Sequence, residues 1–388
     1  MSYAINFQPI GITGVSQPGE SLLDCGQRLG VPIAAACGGG GRCRACRVQV
    51  VNGTVRDAST TEQALFSEEE WGQGWRRACQ GYPVAACRVA VPAPALLAKQ
   101  RIQILAEMIL VEPDPAVRSV PVNLPGVALL ETGLLQQFIV QHLWRQGVSA
   151  SLADVENVLL ESPLQNRIGD APVLAVLRGQ SLVALLPAES RLLGLAVDLG
   201  TTKIAAYLVN LADGTVIAAD GVMNPQIAQG DDVISRITFA IQTADGATRL
   251  KQLALEGLSG LVRRLCRQAS APVEEIVDAV VVGNTAMHHL LLGLPVASLA
   301  RAPFSPATLA PLSRSARELG LPLAPCAEVH FLPNIAGFVG GDHTAALLTA
   351  QALHAAGPVL LMDIGTNTEV SLLTTEGIRS VSCASGPA

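Results

Sequence analysis

Residues 37–46 read Cys37-Gly38-Gly39-Gly40-Gly41-Arg42-Cys43-Arg44-Ala45-Cys46. The three thiols are separated by five and then by two positions, and four consecutive glycines leave the backbone free to fold over whatever the sulfurs bind. Three close cysteines with a distant fourth are the ligand pattern of a [2Fe–2S] cluster. A fourth ligand is expected after a helix and at the start of a closing strand, which favours Cys79. The competitor, Cys87, lies inside the predicted strand Val84–Val91, where a small buried thiol is ordinary. We therefore predict a cluster held by Cys37, Cys43, Cys46 and Cys79.

A zinc site or a set of disulfides would use the same residue type. Zinc sites usually pair two short Cys-x-x-Cys hooks, and the chain has one such hook, Cys43 to Cys46. Disulfides are expected in exported proteins. Met1–Gly11 lacks the basic start and apolar core of a secretory signal, so we expect a cytoplasmic location and reduced thiols.

Composition limits the classes of function. The chain has 388 residues, 49% hydrophobic and 15% charged, which predicts two or three domains with large cores. Its net charge of −6 gives no reason to expect a nucleic acid or an anionic membrane as a partner. No apolar run reaches the roughly eighteen residues of a membrane span. The expectation is a multidomain cytoplasmic protein with neither of these partners.

The N-terminal region alternates short strands with an early helix. Strands are predicted at Tyr3–Phe7, Gly11–Val15, Arg47–Val51 and Val84–Val91, with helices from Ser21 to about Leu29 and from Thr60/Thr61. With the cysteine loop between helix and returning strand, residues 1–93 resemble the β-grasp fold of plant-type ferredoxins. The gap of five residues between Cys37 and Cys43 is the variant of adrenodoxin-like proteins, since the usual gap is four.

Three arginines, Arg42, Arg44 and Arg47, surround the cysteine loop. Most relatives carry glycine where Arg44 stands. Positive charge beside a cluster favours its reduced form and should raise its potential. The alternative is a solvated basic edge with no role in the chemistry.

The next hundred residues carry no recognisable catalytic motif. Residues 94–125 are rich in proline and are predicted to be a linker with an initial helical piece around Leu96–Leu110. Residues 126–190 are predicted to form a small α+β middle domain. Its expected elements are helices at Leu129–Gln146 and Ser151–Leu160 and a hairpin of Val173–Arg178 and Leu182–Leu186.

Two stretches of the C-terminal region share one pattern. One is Leu195-Ala196-Val197-Asp198-Leu199-Gly200-Thr201-Thr202-Lys203, and the other is Val359-Leu360-Leu361-Met362-Asp363-Ile364-Gly365-Thr366-Asn367-Thr368-Glu369-Val370. Each has an apolar strand, an aspartate, a glycine- and threonine-containing turn and a returning strand, so two similar half-domains are predicted. Such turns offer N–H groups and hydroxyls to phosphate oxygens, and the aspartates suit Mg²⁺. Two facing hairpins would clamp nucleotide phosphates; two ordinary hairpins are the alternative.

Residues 191–388 resemble the actin/hexokinase/heat-shock ATPase superfamily, which is built from paired RNase H-like subdomains. The resemblance implies a first phosphate loop of Asp198, Gly200, Thr201 and Thr202 and a second of Asp363, Gly365, Thr366 and Asn367. Lys203 stands where many relatives have an uncharged residue, and it either contacts phosphate or points to solvent. The second half-domain is expected to be incomplete, because the sequence stops soon after the second loop. The predicted fold class is therefore multidomain, α/β and α+β.

Three stretches between the loops carry further candidates. Asp231 and Asp232 precede a helix, where they either position an attacking water or cap the helix; Asp232 is a candidate catalytic carboxylate, together with Asp198 and Asp363 of the two loops. Gly340 and Gly341 are expected to let the backbone approach a ligand or the opposite half-domain closely. His288 and His289 are adjacent on a predicted helix and point in different directions, so a joint metal site is not expected.

Three stretches resemble a known family: Asn224-Pro225-Gln226, Gly283-Asn284-Thr285-Ala286-Met287 and Ala384-Ser385-Gly386-Pro387-Ala388. Together with the joined ferredoxin and ATPase regions, they are similar to the ATP-dependent reductive activators of corrinoid proteins along nearly the whole chain. The resemblance implies reduction of Co(II) to Co(I) in a corrinoid protein of a methyltransferase system. It also implies a [2Fe–2S] cluster, ATP, Mg²⁺ and an external low-potential electron donor.

Two other functions stay open at this point. One is ATP-driven electron donation to another low-potential enzyme. The other is simple electron transfer, with the ATPase-like domain as a docking scaffold. The sequence also leaves the oligomeric state open, a homodimer included.

Overall fold

The computed structural model describes residues 2–31, 33–35, 37, 39–41, 43–56, 65–92, 95, 112–123, 132–159, 172–352, 357–365 and 367–384. The chain forms two compact units. The first contains Met1–Arg101, Met223–Leu253 and Val296–Ala302, and the second contains Ile102–Val222, Ala254–Pro295 and Pro303–Ala388.

The N-terminal sheet has the order β2-β1-β5-β3-β4. Its strands are β1 (Ala4–Gln8), β2 (Ile12–Val15), β3 (Arg47–Asn52), β4 (Trp75–Arg77) and β5 (Cys87–Ala90). β1 pairs antiparallel with β2 and parallel with the closing strand β5. Helix α1 (Leu22–Arg28) begins at Ser21, whose hydroxyl accepts a hydrogen bond from the Asp24 N–H. Because α1 buries Leu22 and Leu23 in one core with Ile5 and Phe7, the result is the predicted β-grasp fold.

Two elements of this region differ from their predictions. The closing strand is shorter than Val84–Val91, because the N–H groups of Val84 and Ala85 donate to the Thr54 carbonyl and hold a turn before the strand. The helix expected from Thr60/Thr61 lies outside the described residues. The structure has a short helix α2 (Glu68–Gly72), which begins with a capping box between Ser67 and Glu70.

The middle region contains a three-stranded antiparallel sheet in the order β6-β7-β8. Its strands are β6 (Val117–Val122), β7 (Val173–Arg178) and β8 (Ser181–Pro187), and its helices are α3 (Thr132–Arg145) and α4 (Leu152–Leu159). β6 is a strand where the sequence predicts a linker. Val117, Val120 and Val122 are buried, and Pro121 is tolerated because β6 is an edge strand. The helix predicted around Leu96–Leu110 lies outside the described residues.

The C-terminal region begins with a hairpin of β9 (Leu193–Leu199) and β10 (Lys203–Asn210), followed by β11 (Val216–Met223). The chain then contributes a 3-10 helix, Pro225–Gln229, and helix α5 (Val233–Gln242) to the first unit. Helix α6 (Gly246–Ala269) follows.

A six-stranded sheet, β11-β10-β9-β12-β14-β13, forms the centre of the second unit. β12 (Ile276–Val282) pairs parallel with β9 and with β14 (Glu328–Phe331), and β13 (Leu312–Ser315) is the antiparallel edge. The helices are α7 (Thr285–Leu292), α8 (Ala316–Leu319) and α9 (Gly341–Ala352). A separate antiparallel sheet contains β15 (Val359–Ile364), β16 (Asn367–Thr374) and β17 (Gly377–Ala384). Both predicted phosphate loops therefore lie at the turns of hairpins.

Candidate iron–sulfur and nucleotide sites

The four predicted cluster cysteines lie in two hydrogen-bonded pairs. The Cys43 thiol is hydrogen-bonded to Cys37, and the Cys46 thiol to Cys79. A [2Fe–2S] cluster takes four cysteine thiolates shared between two irons, so two neighbouring pairs suit its ligand set. In the part of the chain that the structure describes, no three cysteine, histidine or acidic side chains converge on one position.

The loop backbone supports the pair of Cys46 and Cys79. The Cys79 sulfur accepts a hydrogen bond from the Gly41 N–H, and Gln80 Nε2 lies 4.0 Å away. Gly41 has a φ of +67°, a conformation that favours glycine. The hydrogen bond from Cys46 lowers the pKa of Cys79 and raises that of Cys46, and the charge of Arg77 lowers the pKa of Cys79 further. The donors and the Arg77 charge favour the thiolate of Cys79, the form that binds iron, and the two paired sets of thiols fit the ligand set of the cluster.

Cys87, the competing ligand, makes different contacts. Its thiol donates to the carbonyls of Ala85 and Thr54 at 3.2 and 3.4 Å. Burial raises the pKa of Cys87, as it also raises that of Cys43, so the contacts of Cys87 and not its pKa distinguish it from the predicted ligands. The geometry thus supports Cys79 as the fourth ligand.

The arginines of the cluster loop are held against neighbouring side chains. Arg44 forms an ion pair with Glu70 at 2.6 Å and lies over the Phe66 ring, and Arg47 lies over the Trp75 ring. Arg42 lies outside the described residues. Arg77 is a cation that the sequence reasoning missed: it directly precedes Ala78 and Cys79, and its side chain is 1% exposed.

Three segments meet at the carboxyl ends of the parallel strands, where ligands bind in open α/β sheets. They are the β9–β10 turn, the start of α7 and the start of α9. A Cβ added at Gly283 would lie 2.6 Å from the Leu199 carbonyl oxygen. A Cβ at Gly340 would lie 2.3 Å from the Gly283 oxygen and 2.4 Å from the Asn284 Cα. Gly340 therefore approaches the backbone of this same sheet edge, whereas Gly341 is less crowded, with its nearest contact at 3.2 Å.

Gly340→Ala is expected to lower the free energy of unfolding by about 3 kcal/mol, because the new methyl group would collide with backbone atoms that cannot rotate away. Gly260→Ala is the matched control. Gly260 lies in the interior of α6 with open space around it, so alanine should stabilise by about 0.5–1 kcal/mol. Urea unfolding of both variants would measure the difference. Equal stabilities would contradict the close approach at Gly340.

Four carboxyl groups share one electrostatic environment: Asp198, Asp342, Asp363 and Glu369. Asp198 reaches solvent, but the dense protein around it and the charges of Asp342 and Asp363 raise its pKa to about 7. Desolvation, with the charges of Asp342 and Asp363, raises the pKa of Glu369 to about 7. Asp363 and Glu369 lie directly opposite each other on β15 and β16, where like charges are unfavourable. A cation would relieve this repulsion, and Mg²⁺ typically takes one or two carboxylates and keeps waters.

The sequence reasoning predicted two of these carboxylates, Asp198 and Asp363, and missed Asp342 and Glu369. Asp342 directly follows the two glycines that the sequence singled out. Glu369 lies six residues after Asp363, which places both on one face only once the hairpin register is known.

A buried hydrogen-bond chain joins α9 to the second hairpin. His343 Nε2 lies 2.6 Å from Ser371 Oγ, which lies 2.6 Å from Ser380 Oγ. His343 and Ser371 are fully buried, and burial lowers the pKa of His343. Ser371 is two residues from Glu369 and lies on the same face of β16. The hydrogen bonds of Ser371 therefore anchor the strand face that carries Glu369.

The remaining predicted residues are distributed as follows. Asp232 is exposed and caps α5, where its Oδ1 accepts the Ser235 N–H at 2.7 Å. It belongs to the first unit together with Arg236, which is fully buried and donates to the Gly230 carbonyl. Gly200, Thr201, Thr202 and Lys203 form the β9–β10 turn and its exit, and the Gly365 N–H donates to the Asn367 carbonyl across the second turn. Thr366 lies outside the described residues.

His288 and His289 form part of a buried polar cluster. His289 Nδ1 donates to the Thr285 carbonyl and its Nε2 accepts the Ala307 N–H, so this ring is neutral. His288 Nδ1 lies 3.1 Å from Asn334 Nδ2 and 3.2 Å from His289 Nδ1. Burial, together with His289, lowers the pKa of His288 to about 4.

His288 should make folding sensitive to acid. The unfolded chain binds a proton near pH 6.5 and the folded chain only near pH 4, so stability falls as the pH drops through this window, by about 3 kcal/mol. His288→Gln removes the titration. Denaturant unfolding at pH 7 and pH 4.5 gives the free energy of unfolding at each pH. We expect this free energy to fall less between pH 7 and pH 4.5 in the variant than in the wild type. The same acid loss in both proteins would rule out this assignment.

These features define a class of protein: a β-grasp ferredoxin domain joined to an α/β region in which carboxylates gather at glycine-containing hairpin turns. Family models match a stretch in each of these two regions. Residues 5–84 match a 2Fe-2S iron-sulfur cluster binding domain, and residues 193–355 match the RACo middle region.

Three known proteins that are similar to this chain define the class of protein more narrowly. The corrinoid activation enzyme RamQ of Eubacterium limosum is 27% identical over 378 residues, which are 95% of this chain and 59% of RamQ. The [Co(II) methylated amine-specific corrinoid protein] reductase of Methanosarcina barkeri is 25% identical over 204 residues, covering 50% of this chain and 36% of that protein. A solved reductive activator for a corrinoid, iron-sulfur protein superposes with a TM-score of 0.57 at 29% identity, covering 99% of this chain and 63% of that one.

The predicted resemblance to reductive activators of corrinoid proteins is thereby confirmed. The chain spans about three fifths of the length of RamQ and of the solved activator. Across the described ranges, no helix combines the length and the apolar character that crossing a membrane requires.

Proposed function

We propose that this chain takes part in the ATP-dependent reduction of a corrinoid protein from Co(II) to Co(I). The observation that carries the proposal is the joining, in one chain, of paired cluster cysteines and a sheet edge where closely approaching glycines lie near interacting carboxyl groups. Two of its relatives are named for corrinoid activation and corrinoid reduction. The corrinoid protein of a methyltransferase system is the expected partner, with an external low-potential electron donor.

When bound by Cys37, Cys43, Cys46 and Cys79, a [2Fe–2S] cluster supplies single electrons at low potential. Plant-type clusters lie near about −400 mV, and the cobalt couple is expected to lie lower still. For one electron, each shortfall of about 59 mV costs roughly 1.4 kcal/mol. The Gly41 N–H and the buried Arg77 cation lie beside Cys79, where positive charge favours the reduced state.

ATP would supply the free energy by which the cluster electron falls short of reducing the cobalt. In this proposal Gly200, Thr201 and Thr202 and the second turn, Gly365, Thr366 and Asn367, bind phosphate oxygens. Asp198 and Asp363 hold Mg²⁺. Lys203 follows the first turn and either contacts phosphate or stays in solvent. Nucleotide can shift the reduction only through different affinities for the two states of the protein.

The test is anaerobic turnover of the cluster-loaded chain with a Co(II) corrinoid protein and a strong reductant. ATP hydrolysis and Co(I) absorbance should rise together. ATP hydrolysis should depend on the corrinoid protein, and Co(I) formation should depend on ATP and the reductant. Co(I) formation at the same rate with and without ATP would favour the alternative function, simple electron transfer with the ATPase-like domain as a docking scaffold. No Co(I) from a chain with a reducible cluster and bound nucleotide would overturn the proposal.

A further inference from the structure

We propose that Asn284 is a positioning residue for the first phosphate loop. Its Nδ2 donates a hydrogen bond to Thr201 Oγ1 at 2.8 Å, and this bond sets the direction in which the Thr201 hydroxyl donates its own proton. The inference deepens the proposed nucleotide function and rests on it. It assigns a role to a residue that does not itself contact the nucleotide.

The sheet topology brings the two residues together. β9 and β12 are parallel neighbours, and Val282 pairs with Asp198 in their register. Thr201 and Asn284 therefore follow the carboxyl ends of adjacent strands. Gly283 permits this approach, because any side chain there would meet the Leu199 carbonyl oxygen. Thr201 is 7% exposed, so the bond is largely protected from competition by water.

The orientation of the Asn284 amide is fixed by the helix that follows. Asn284 is the N-cap of α7, and its Oδ1 accepts the Met287 N–H at 3.0 Å. With the oxygen committed to the helix, the amide NH₂ must face Thr201. A cap of serine or aspartate would satisfy α7 equally well, but neither side chain could donate an N–H.

The consequence for Thr201 follows from the hydroxyl group. A hydroxyl has one donor and two acceptor lone pairs. When a lone pair accepts from Asn284, the proton points away from Asn284. Thr201 then presents a donor to a phosphate oxygen, and hydrogen bonds to charged acceptors are stronger than those to neutral ones.

A double-mutant cycle tests this assignment on the full chain. The variants are Asn284→Ser, which keeps a cap, Thr201→Val, which keeps the size, and the double variant. The affinity for a non-hydrolysable ATP analogue with Mg²⁺ would be measured by titration calorimetry. We expect each single variant to bind about tenfold more weakly, and the double variant also about tenfold rather than a hundredfold. Asn284→Asp, which retains a strong cap, replaces Asn284→Ser if the serine variant does not fold.

The outcomes separate the inference from the proposed function. Losses that multiply in the double variant would show that Asn284 does not act through Thr201. Unchanged nucleotide affinity in Asn284→Ser would overturn the positioning role. If the melting temperature of that variant fell while its affinity stayed the same, Asn284 would act as a helix cap alone. In these cases nucleotide binding by the wild type still stands. A wild-type chain that binds no nucleotide would overturn the proposed function and this inference with it.

Discussion

Cys79→Ala is expected to remove nearly all bound iron, leaving less than about a tenth of the wild-type content. Cys79 is hydrogen-bonded to Cys46 and receives the Gly41 N–H, whereas the Cys87 thiol donates to the carbonyls of Ala85 and Thr54. Because a [2Fe–2S] cluster needs four protein ligands, loss of one should release it. Iron content, visible absorbance and the paramagnetic resonance signal of the reduced protein would measure the loss.

Cys87→Ala is the matched control. Cys87 is as buried as Cys79, at 5% exposure, and belongs to the same domain, but its thiol donates to two carbonyl oxygens and packs in the apolar core. The control should keep its iron and its spectrum. If Cys87→Ala loses the cluster and Cys79→Ala retains it, the ligand assignment is wrong and the fourth ligand is Cys87.

Asp198→Asn is expected to reduce ATP turnover at least a hundredfold while leaving the spectrum of the cluster unchanged. The Asp198 carboxylate lies among Asp342 and Asp363 at the end of β9, and a divalent ion held there contributes several kcal/mol to phosphoryl transfer. Asparagine keeps the size but removes the charge. Steady-state ATP hydrolysis with the corrinoid partner, alongside the visible spectrum, would separate the two effects.

Asp213→Asn gives the corresponding control. Asp213 lies between β10 and β11, where it accepts hydrogen bonds from the N–H and hydroxyl of Thr215 and from the Asn210 amide. Its replacement should leave turnover within about twofold. Turnover of Asp198→Asn within threefold of the wild type would place the metal elsewhere.

Local patterns were enough to predict several parts of the molecule. The cysteine spacing and the glycine run predicted the ferredoxin domain, because three of the four expected ligands lie within ten residues of the sequence. The strand Val173–Arg178 matched its predicted bounds, and its partner in the hairpin is one residue longer at each end than predicted. β6 did not follow from the sequence, because an edge strand tolerates the proline that suggested a linker.

The sequence by itself determined which residue types the two sites contain: four cysteines for a cluster, and two aspartates beside glycine- and threonine-rich turns. Only the tertiary structure decided which other residues lie beside them. The strand register placed Glu369 opposite Asp363, and the parallel pairing of β9 with β12 brought Asn284 to Thr201. It also showed Asp232 capping α5 and Cys87 bonding to carbonyls. Such contacts join residues distant in sequence, and their partners are fixed by packing of whole sheets and helices rather than by any local pattern.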